Sequence, residues 1–353
     1  VSGDGQTRSR SLGIEVLGEP APIAIDNVAL GPGLVGAPYD VRLRATGGDG
    51  SGFTWSVVGG ELPAGLSLNA AGRLQGTPSV ADTGIVVIRV VSGPFEAEEA
   101  FTLQVVANRT TGFHITVAPV VPIPASIQPH VDAAIARWEE VVTADLSAVA
   151  LEFDFFDPGE CSGFGPVLNG TAADDLIVLV NIVSIDGPGN VLGQAGPCVI
   201  RGNDLPIGGV LTLDADDLGA MGAQSTIDLM VHELGHVLGY GSLWNTFELL
   251  TSSTSDPRFT GAAATAEWNT LGGVGQVPVE ATGGAGTARS HWRESTFSTE
   301  LMTGFASPPG IDQPLSRVSI ASLADMGYSV DLNAADAYVL PAPMGAPGRE
   351  IVE

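Results

Sequence analysis

The sequence predicts an all-β sandwich followed by an α+β domain. Short stretches in which apolar and polar residues alternate fill residues 21–107, and turns containing Gly, Pro and Asn separate them. Beyond residue 113, an amphipathic helical pattern stands among longer apolar runs of the kind that form buried strands. With 353 residues, 44% of them hydrophobic, the chain is long enough to build two cores.

These patterns divide the chain into four parts. Residues 1–20 are polar and predict a flexible tail, and residues 341–353 form a second tail that contains Pro and Gly. The sandwich is expected at residues 21–107 and the α+β domain at residues 113–340, with a short linker between them. We expect the two domains to fold as separate units.

Four strands are predicted in the sandwich, at residues 39–46, 53–58, 84–91 and 100–106. Strands of this length and spacing favour two packed sheets, with Trp55 in the core. Between them, residues 62–78 read LPAGLSLNAAGRLQGTP, which resembles the signature of Ig-like (cadherin-like) domains in bacterial surface proteins. The resemblance implies an Ig-like fold and a spacer or adhesion role, in which the module contacts a cell surface or a substrate.

The α+β domain is predicted to begin with one helix and several strands. The helix covers residues 131–142, and the strands lie at residues 113–120, 151–155, 175–183 and 209–213. The run at 175–183 is almost entirely apolar, as expected inside a sheet. Residues 249–290 are rich in Gly, Ala, Thr and Ser, and we expect a long loop there.

A second helix in this domain carries the clearest chemical signal, the sequence HELGHVLGYG at residues 232–241. The preceding residues 225–228 have the form of a capping box that would start the helix. His232 and His236 are one turn apart, so their imidazoles face the same side and can bind one Zn²⁺. Glu233 stands beside them, where it can take a proton from a water molecule. The motif therefore predicts a zinc hydrolase.

The third protein ligand is not fixed by this motif. Zinc accepts carboxylates as well as imidazoles, and in another class of zinc peptidases a glutamate completes the site. Glu267, in AAATAEWN, stands at a suitable distance along the chain for that role, and His291 is the competing candidate. A Gly-rich run precedes Ser290 and His291, and it would let the chain return to the metal.

Three motifs of the chain belong together: HELGHVLG, the pair Ser290-His291 after a Gly-rich run, and the triplet Glu300-Leu301-Met302. In these motifs the chain resembles the leishmanolysin family of metzincin peptidases. Stretches such as FHITV, IDGPGNVLGQAGP and LSRVSIASLADMGY extend the resemblance over residues 113–333. The chain departs from the family's eukaryotic members, which are rich in cysteine, because it has only two cysteines.

This resemblance implies a metzincin fold, with a twisted mixed sheet, an active-site helix at a cleft and a smaller C-terminal subdomain. It implies that His291 is the third zinc ligand and that Met302 belongs to the methionine turn beneath the metal. Glu233 would be the catalytic base of a secreted zinc endopeptidase acting on peptides or proteins. Two alternatives stay open, an adhesion protein with an inactive peptidase domain and a zinc hydrolase with another substrate. The intact Glu233 argues against the first of them.

Composition and cysteine usage bound the partners and the location. The formal net charge is −26 and all 14 basic residues are arginines, so binding to nucleic acid phosphates is not expected. No apolar run reaches the length of about 18 residues that indicates a transmembrane helix. Cys161 and Cys198 are expected to form a disulfide, as isolated pairs in exported proteins do, with two buried thiols as the alternative. The protein is therefore predicted to be extracellular, either secreted or at the cell surface.

Other titratable residues give weaker signals. The acidic stretches at residues 154–160 and 214–217 are candidate Ca²⁺ sites, because Ca²⁺ favours clustered oxygen ligands, although such residues more often form a solvated face. His114 and His130 have no partner at ligand spacing, and we expect them to be structural or surface residues.

Overall fold

The computed structural model describes residues 21–341 and 350–351, except residues 110, 153, 154, 158, 160 and 309. The tail predicted at residues 1–20 and nearly all of the tail predicted at residues 341–353 lie outside the described residues. Asp154 and Glu160, at the two ends of one acidic stretch, also lie outside them. Within the described ranges, no helix is long and apolar enough to cross a bilayer.

Nine strands form the N-terminal module. They are β1 (Ala21–Ile25), β2 (Gly33–Leu34), β3 (Tyr39–Arg42), β4 (Ala45–Gly48), β5 (Thr54–Gly59), β6 (Leu66–Leu68), β7 (Arg73–Gly76), β8 (Asp82–Ser92) and β9 (Phe95–Val106). One sheet has the order β2-β9-β8-β5, a second has the order β3-β7-β6, and β1 pairs with β4. Side chains of both larger sheets, including Trp55, Leu74 and Ile88, share one core. The predicted sandwich is present, although the run at residues 39–46 is split between β3 and β4.

The N-terminal module contacts the domain that follows it. The backbone N–H of Asp40 donates to the carbonyl of Gly170 at 2.8 Å. Ala29 packs against a buried cluster that includes Val167 and Leu168. Because these contacts join the two parts in the folded chain, separate folding stays a prediction.

A four-stranded mixed sheet is the centre of the second domain. The strands in this region are β10 (Ile115–Pro119), β11 (Val149–Ala150), β12 (Ala172–Ala173), β13 (Leu176–Val183), β14 (Gly193–Ile200) and β15 (Pro206–Asp214). The sheet order is β10-β13-β15-β14, and β14 lies at the edge, antiparallel to β15. β13 is buried over most of its length, as its apolar run predicts. Of the strand predicted at residues 151–155, residues 153 and 154 lie outside the described residues, and the paired strand β11 ends just before it, at Ala150.

Helices cover one face of this sheet and fill the C-terminal part of the domain. They are α1 (Gln128–Val141), α2 (Ala215–Leu218), α3 (Ala223–Val237), α4 (Ala262–Thr270), α5 (Glu294–Phe297) and α6 (Arg317–Met326). The short strands β16 (Arg258–Phe259), β17 (Val277–Pro278), β18 (Phe305–Ala306) and β19 (Glu350–Ile351) complete the described strands. Helices α1 and α3 pack directly together, since Trp138 of α1 is fully buried and its Nε1 donates to the Val231 carbonyl of α3 at 2.8 Å.

The prediction of a long loop at residues 249–290 is wrong for part of this segment. The segment contains β16, β17 and α4, and α4 packs against α6. Asp325 of α6 accepts hydrogen bonds from the backbone N–H groups of Ala263 and Ala264, so α4 is capped by a residue distant in sequence. Trp268 stacks near Phe297 with ring centroids 5.3 Å apart. The sequence of this segment does not predict α4, because the residue that caps the helix and the aromatic residue that packs on it both lie outside the segment.

A candidate metal centre

Helix α3 begins two residues before the predicted capping box. Its N-terminal cap position is Gly222, and residues 225–228 lie within the first turns. The Thr226 hydroxyl donates to the Gly222 carbonyl at 3.2 Å, a back-bond made inside the helix and not the cap that the sequence predicts. The helix is therefore stabilised mainly by burial of its apolar face against the sheet and α1.

Two histidines and a glutamate of α3 point into the interior. His232, Glu233 and His236 are 2%, 1% and 7% exposed. The backbone N–H of Tyr240 donates to the Gly235 carbonyl, and the helix then ends with the two positive-φ glycines Gly239 and Gly241.

Residues 283–303, here called the return segment, bring a third histidine to α3. A Cβ atom on Gly241 would lie 2.0 Å from the carbonyl oxygen of Ser290, so a side chain there would push the two segments apart. His291 follows Ser290 directly and is 1% exposed. The close approach at Gly241 thus sets how near His291 comes to the histidines of the helix.

The Nε2 atoms of the three histidines converge on one point. They are separated by 3.1 Å between His232 and His291, 3.1 Å between His232 and His236, and 2.9 Å between His236 and His291. Nitrogen ligands at the usual zinc distance, arranged tetrahedrally, are about 3.3 Å apart. The spacing of these atoms is therefore close to that of three ligands of one zinc ion.

The opposite ring nitrogen of each histidine is held by a backbone carbonyl. Nδ1 of His232 donates to Leu301 at 2.7 Å, Nδ1 of His236 to Tyr240 at 2.9 Å, and Nδ1 of His291 to Thr287 at 3.1 Å. A carbonyl oxygen can only accept, so each Nδ1 carries the proton and each neutral ring turns an Nε2 lone pair toward the others. This arrangement fits a metal ion better than it fits three histidines bonded only to one another.

Burial also keeps the three imidazoles neutral. Removal from water lowers the pKa of His232 to about 3 and that of His236 to about 4. The same burial, together with the neighbouring histidines, lowers the pKa of His291 well below its usual value. At neutral pH all three therefore present unprotonated nitrogen atoms, which is the form that binds a metal.

Glu233 and His236 border a cavity of about 510 Å³. Glu233 also lies against the edge strand, since a Cβ on Gly193 of β14 would be 3.1 Å from a Glu233 carboxylate oxygen. The other residues that line the cavity come from β14, the segment after α3 and the return segment: Gln194, Ala195, Gly241, Ser242, Asn245, Ala285, Gly286, Ala288, Arg289 and Ser290. The cavity gives a substrate room beside the predicted base.

Met302 packs against helix α3 at Gly235. It is fully buried, and its Sδ would be 3.3 Å from a Cβ on Gly235, which stands between His232 and His236 on α3. Leu301, its neighbour, supplies the carbonyl that accepts from His232. The return segment thus contacts helix α3 through Leu301 and Met302 as well as carrying His291.

Glu300 belongs to the Glu300-Leu301-Met302 triplet, but the sequence predicted no role for its carboxylate. Its fully buried carboxylate accepts from the backbone N–H of Met302 at 2.6 Å and from the N–H of Ser316 at 2.9 Å. It also accepts from the hydroxyls of Ser316 and Ser319, at the start of α6. The signal in the sequence was an acidic residue inside an otherwise apolar triplet, followed by a serine that caps α6.

Glu267, the alternative third ligand, is used elsewhere. Its carboxylate forms an ion pair with Arg317, with Nε to oxygen at 2.7 Å and Nη2 to oxygen at 3.2 Å. Two groups of described residues have the spacing to hold a metal, and Glu267 belongs to neither. One is the histidine cluster, and the other is an acidic group of Asp145, Asp174 and Asp175.

The acidic residues act mainly as acceptors for backbone N–H groups. In the stretch 214–217, Asp214 accepts from Asp216 at 2.8 Å and from Ile185 at 3.0 Å. In the acidic group, Asp175 accepts from the N–H of His114 at 2.8 Å, and burial raises its pKa to about 6. The Ca²⁺ hypothesis gains no support from the described residues.

The two cysteines and the two histidines predicted to be structural or surface residues do not line the cavity. A disulfide joins Cys161 to Cys198, which ties a turn after β11 to the edge strand β14. His114 contacts Glu139, with Nδ1 to oxygen at 3.4 Å. His130 is in the first turn of α1 and takes no part in the histidine cluster.

Comparison with known proteins connects this centre to a family. The family model described as "Leishmanolysin" matches residues 165–345, just over half of the chain, and the model described as "Putative Ig domain" matches residues 21–118. Leishmanolysin of Leishmania donovani is 26% identical over 182 residues, which are 48% of this chain and 30% of that protein. A leishmanolysin homolog of Crithidia fasciculata is 26% identical over 170 residues, which are 45% of this chain and 25% of that protein.

The matched region spans less than a third of the length of these relatives. Among solved structures, protocadherin gammaB7 is similar over 24% of this chain and 23% of its own, with 17% identity and a TM-score of 0.22. A score this low does not indicate a shared overall fold. The family match rests on the sequence and covers the helix, the return segment and α6. The chain therefore belongs to the leishmanolysin family of metallopeptidases, with an Ig-like domain at its N-terminal side.

Proposed function

We propose that this protein is a secreted zinc endopeptidase of the metzincin type. The observation that carries the proposal is the convergence of three Nε2 atoms within 3.1 Å, each ring held by a carbonyl at Nδ1. His232, His236 and His291 would hold the zinc, and Met302 would form the methionine turn below it. A zinc ion there supplies a Lewis acid that polarises a peptide carbonyl and lowers the pKa of a water molecule.

The chain's own groups would do the rest of the chemistry. The Glu233 carboxylate accepts a proton from the attacking water and later donates it to the amine of the leaving peptide. The edge strand β14, which pairs within its sheet only with β15, offers backbone N–H and C=O groups to an extended peptide. Because Gly193 of β14 lies against Glu233, a peptide paired there would pass the base.

An extracellular location is part of the proposal. The disulfide between Cys161 and Cys198 and the Ig-like module both support it. The module contacts the catalytic domain on the side of residues 161–175, and we propose that it binds a cell surface or positions a substrate. The competing function is an adhesion protein whose peptidase domain is inactive.

The deciding experiment compares the wild type with Glu233→Gln, which keeps the shape of the side chain and removes the base. Both proteins are loaded with zinc and incubated with a mixed peptide library, and the cut sites are sequenced. We expect kcat/KM to fall by about 10² to 10⁴-fold in the variant, the range typical of general acid–base catalysis. Zinc content should stay at one ion per chain, because Glu233 is not a ligand.

Two outcomes would contradict the proposal. Full activity in Glu233→Gln would remove the mechanism. The wild type could also cut no peptide when loaded with zinc, and none after its metal is removed by a chelator and zinc is added back. That result would favour the adhesion protein.

A further inference from the structure

The cavity beside the metal centre has one cationic side chain among the residues that line it, Arg289. The other lining residues are neutral except for Glu233 and the histidine His236. The whole chain carries 40 acidic residues against 14 basic ones. Arg289 therefore places a positive charge at this cavity in a protein whose charged residues are mostly acidic.

The guanidinium of Arg289 is bonded to neutral acceptors. Nη1 donates to the Ser253 carbonyl at 2.7 Å, and Nη2 donates to the Thr251 carbonyl at 3.2 Å and to Asn245 Oδ1 at 3.3 Å. Within the described ranges Arg289 forms no ion pair, and its Nε–H has no hydrogen-bond partner. The positive charge is held in place without a carboxylate to neutralise it.

Nearby arginines show a different arrangement. Arg258 and Arg293 both pair with Asp256, at 3.1 Å and 2.7 Å. Neither of them lines the cavity. In this part of the molecule, an arginine without a carboxylate partner is thus found at the cavity and paired arginines are found away from it.

The backbone at Arg289 is also unusual. Its φ is +73°, a left-handed conformation that costs free energy for a residue with a Cβ and that glycine or asparagine adopts more easily. Its N–H donates to the Glu280 carbonyl at 2.9 Å, which fixes that conformation. Since Arg289 is two residues before His291, its position is set relative to the metal ligands.

We propose that Arg289 forms a subsite for a carboxylate, so that the enzyme prefers substrates with Glu or Asp at one position beside the cleaved bond. Guanidinium and carboxylate form charge-assisted hydrogen bonds, which are stronger than bonds between neutral groups. A Gln or Asn at the same position offers only a neutral amide. The preference in cleavage rests on the proposed function, because it requires peptidase activity. The binding of a carboxylate at Arg289 does not depend on hydrolysis.

The test uses peptide pairs that differ only by Glu against Gln, or Asp against Asn, at each position around the cleaved bond. The wild type should prefer the acidic member at one position by about 10- to 100-fold, the range expected for a hydrogen bond to a charged group. Arg289→Gln should bring that ratio close to one, and Arg289→Lys should keep part of it. Arg258→Gln is the matched control, and it should leave the ratio unchanged.

A purely structural role for Arg289 predicts another pattern. If the guanidinium only ties the return segment to Asn245 and to residues 251–253, its loss should slow both members of each pair equally. An unchanged ratio in Arg289→Gln would therefore overturn the proposal. Zinc content and thermal melting of each variant show whether the fold is kept, and Arg289→Lys provides the second reading if Arg289→Gln does not fold.

Binding separates this inference from the proposed function. Dissociation constants of the same peptide pairs are measured by calorimetry on zinc-loaded Glu233→Gln protein, with and without the substitution at Arg289. Tighter binding of the acidic peptide that disappears without Arg289 supports the subsite even where the wild type cuts no peptide. Equal binding of the two peptides would overturn the subsite even where the wild type is an active peptidase.

Discussion

Helix α3 and the return segment both supply histidines to the candidate metal centre, but they hold them by different means. On α3, His232 and His236 are fixed by a continuous helix that is buried against α1 and the sheet. In the return segment, His291 is held by isolated contacts, such as the Glu280 N–H to the His291 carbonyl at 2.9 Å and the Trp292 N–H to the Met302 carbonyl at 3.0 Å. One source of ligands is local in sequence, and the other depends on the whole domain.

This difference also appears in the backbone. The return segment contains positive φ values at two residues with side chains, Arg289 and Ser298, and at several glycines. The residues of α3 have no such exceptions before Gly239. A site of this kind joins a preformed pair of ligands to a third that is correctly placed only when the surrounding fold is complete.

The largest expected effect is the loss of the third ligand. His291→Ala should release zinc during dialysis and abolish peptide cleavage. Two nitrogen ligands bind zinc much more weakly than three, and the effect should exceed the roughly 10- to 100-fold cost of losing a group behind a ligand. Zinc per chain after dialysis, measured by atomic absorption, checks this.

Glu267→Ala is the matched control for His291→Ala. Its carboxylate pairs with Arg317 at the surface of α4, and such pairs contribute little to stability. This variant should keep both zinc and activity. If zinc were instead lost from Glu267→Ala and kept by His291→Ala, the third ligand would be a carboxylate and the metzincin assignment would fail.

The sequence predicted the helix and its two histidines because their spacing is a local property. It placed His291 only through resemblance to a family, since 55 residues separate it from His236 and no local rule spans that distance. The same limit explains Glu300, whose partners Ser316 and Ser319 are on another helix. It also explains α4, where the capping carboxylate of Asp325 comes from α6.

A smaller effect is expected from Glu300, which links the backbone at Met302 to the start of α6. Glu300→Ala should leave the N–H groups of Met302 and Ser316 without their acceptor and should shift the Leu301 carbonyl that holds His232. We expect zinc affinity to fall by about 10- to 100-fold, as for other groups that orient a ligand. Competition with a chromogenic chelator measures this.

Glu300→Gln is a second variant for this test. The amide keeps one acceptor oxygen, so zinc affinity should fall by less than in Glu300→Ala. A purely structural role would lower the melting temperature in both variants and leave the rate of zinc release unchanged. That outcome would mean that residues 300–302 play no part in metal binding and that His291 is the one residue of the return segment that does.

The smallest effect, and the finest test of the comparison, concerns two serines that stand behind different ligands. Ser290 Oγ lies 3.1 Å from Nδ1 of His291 and 3.2 Å from the Thr287 carbonyl, whereas Ser242 Oγ donates to the backbone carbonyl of His236 at 2.9 Å. Ser290→Ala leaves the Thr287 carbonyl as the acceptor for His291, so zinc affinity should fall by at most about tenfold, the low end of the range for such groups. Ser242→Ala should change zinc affinity still less, because the helix holds His236 without the hydroxyl. Equal losses in the two variants, measured by the same chelator competition, would mean that the return segment holds its histidine as firmly as α3 does.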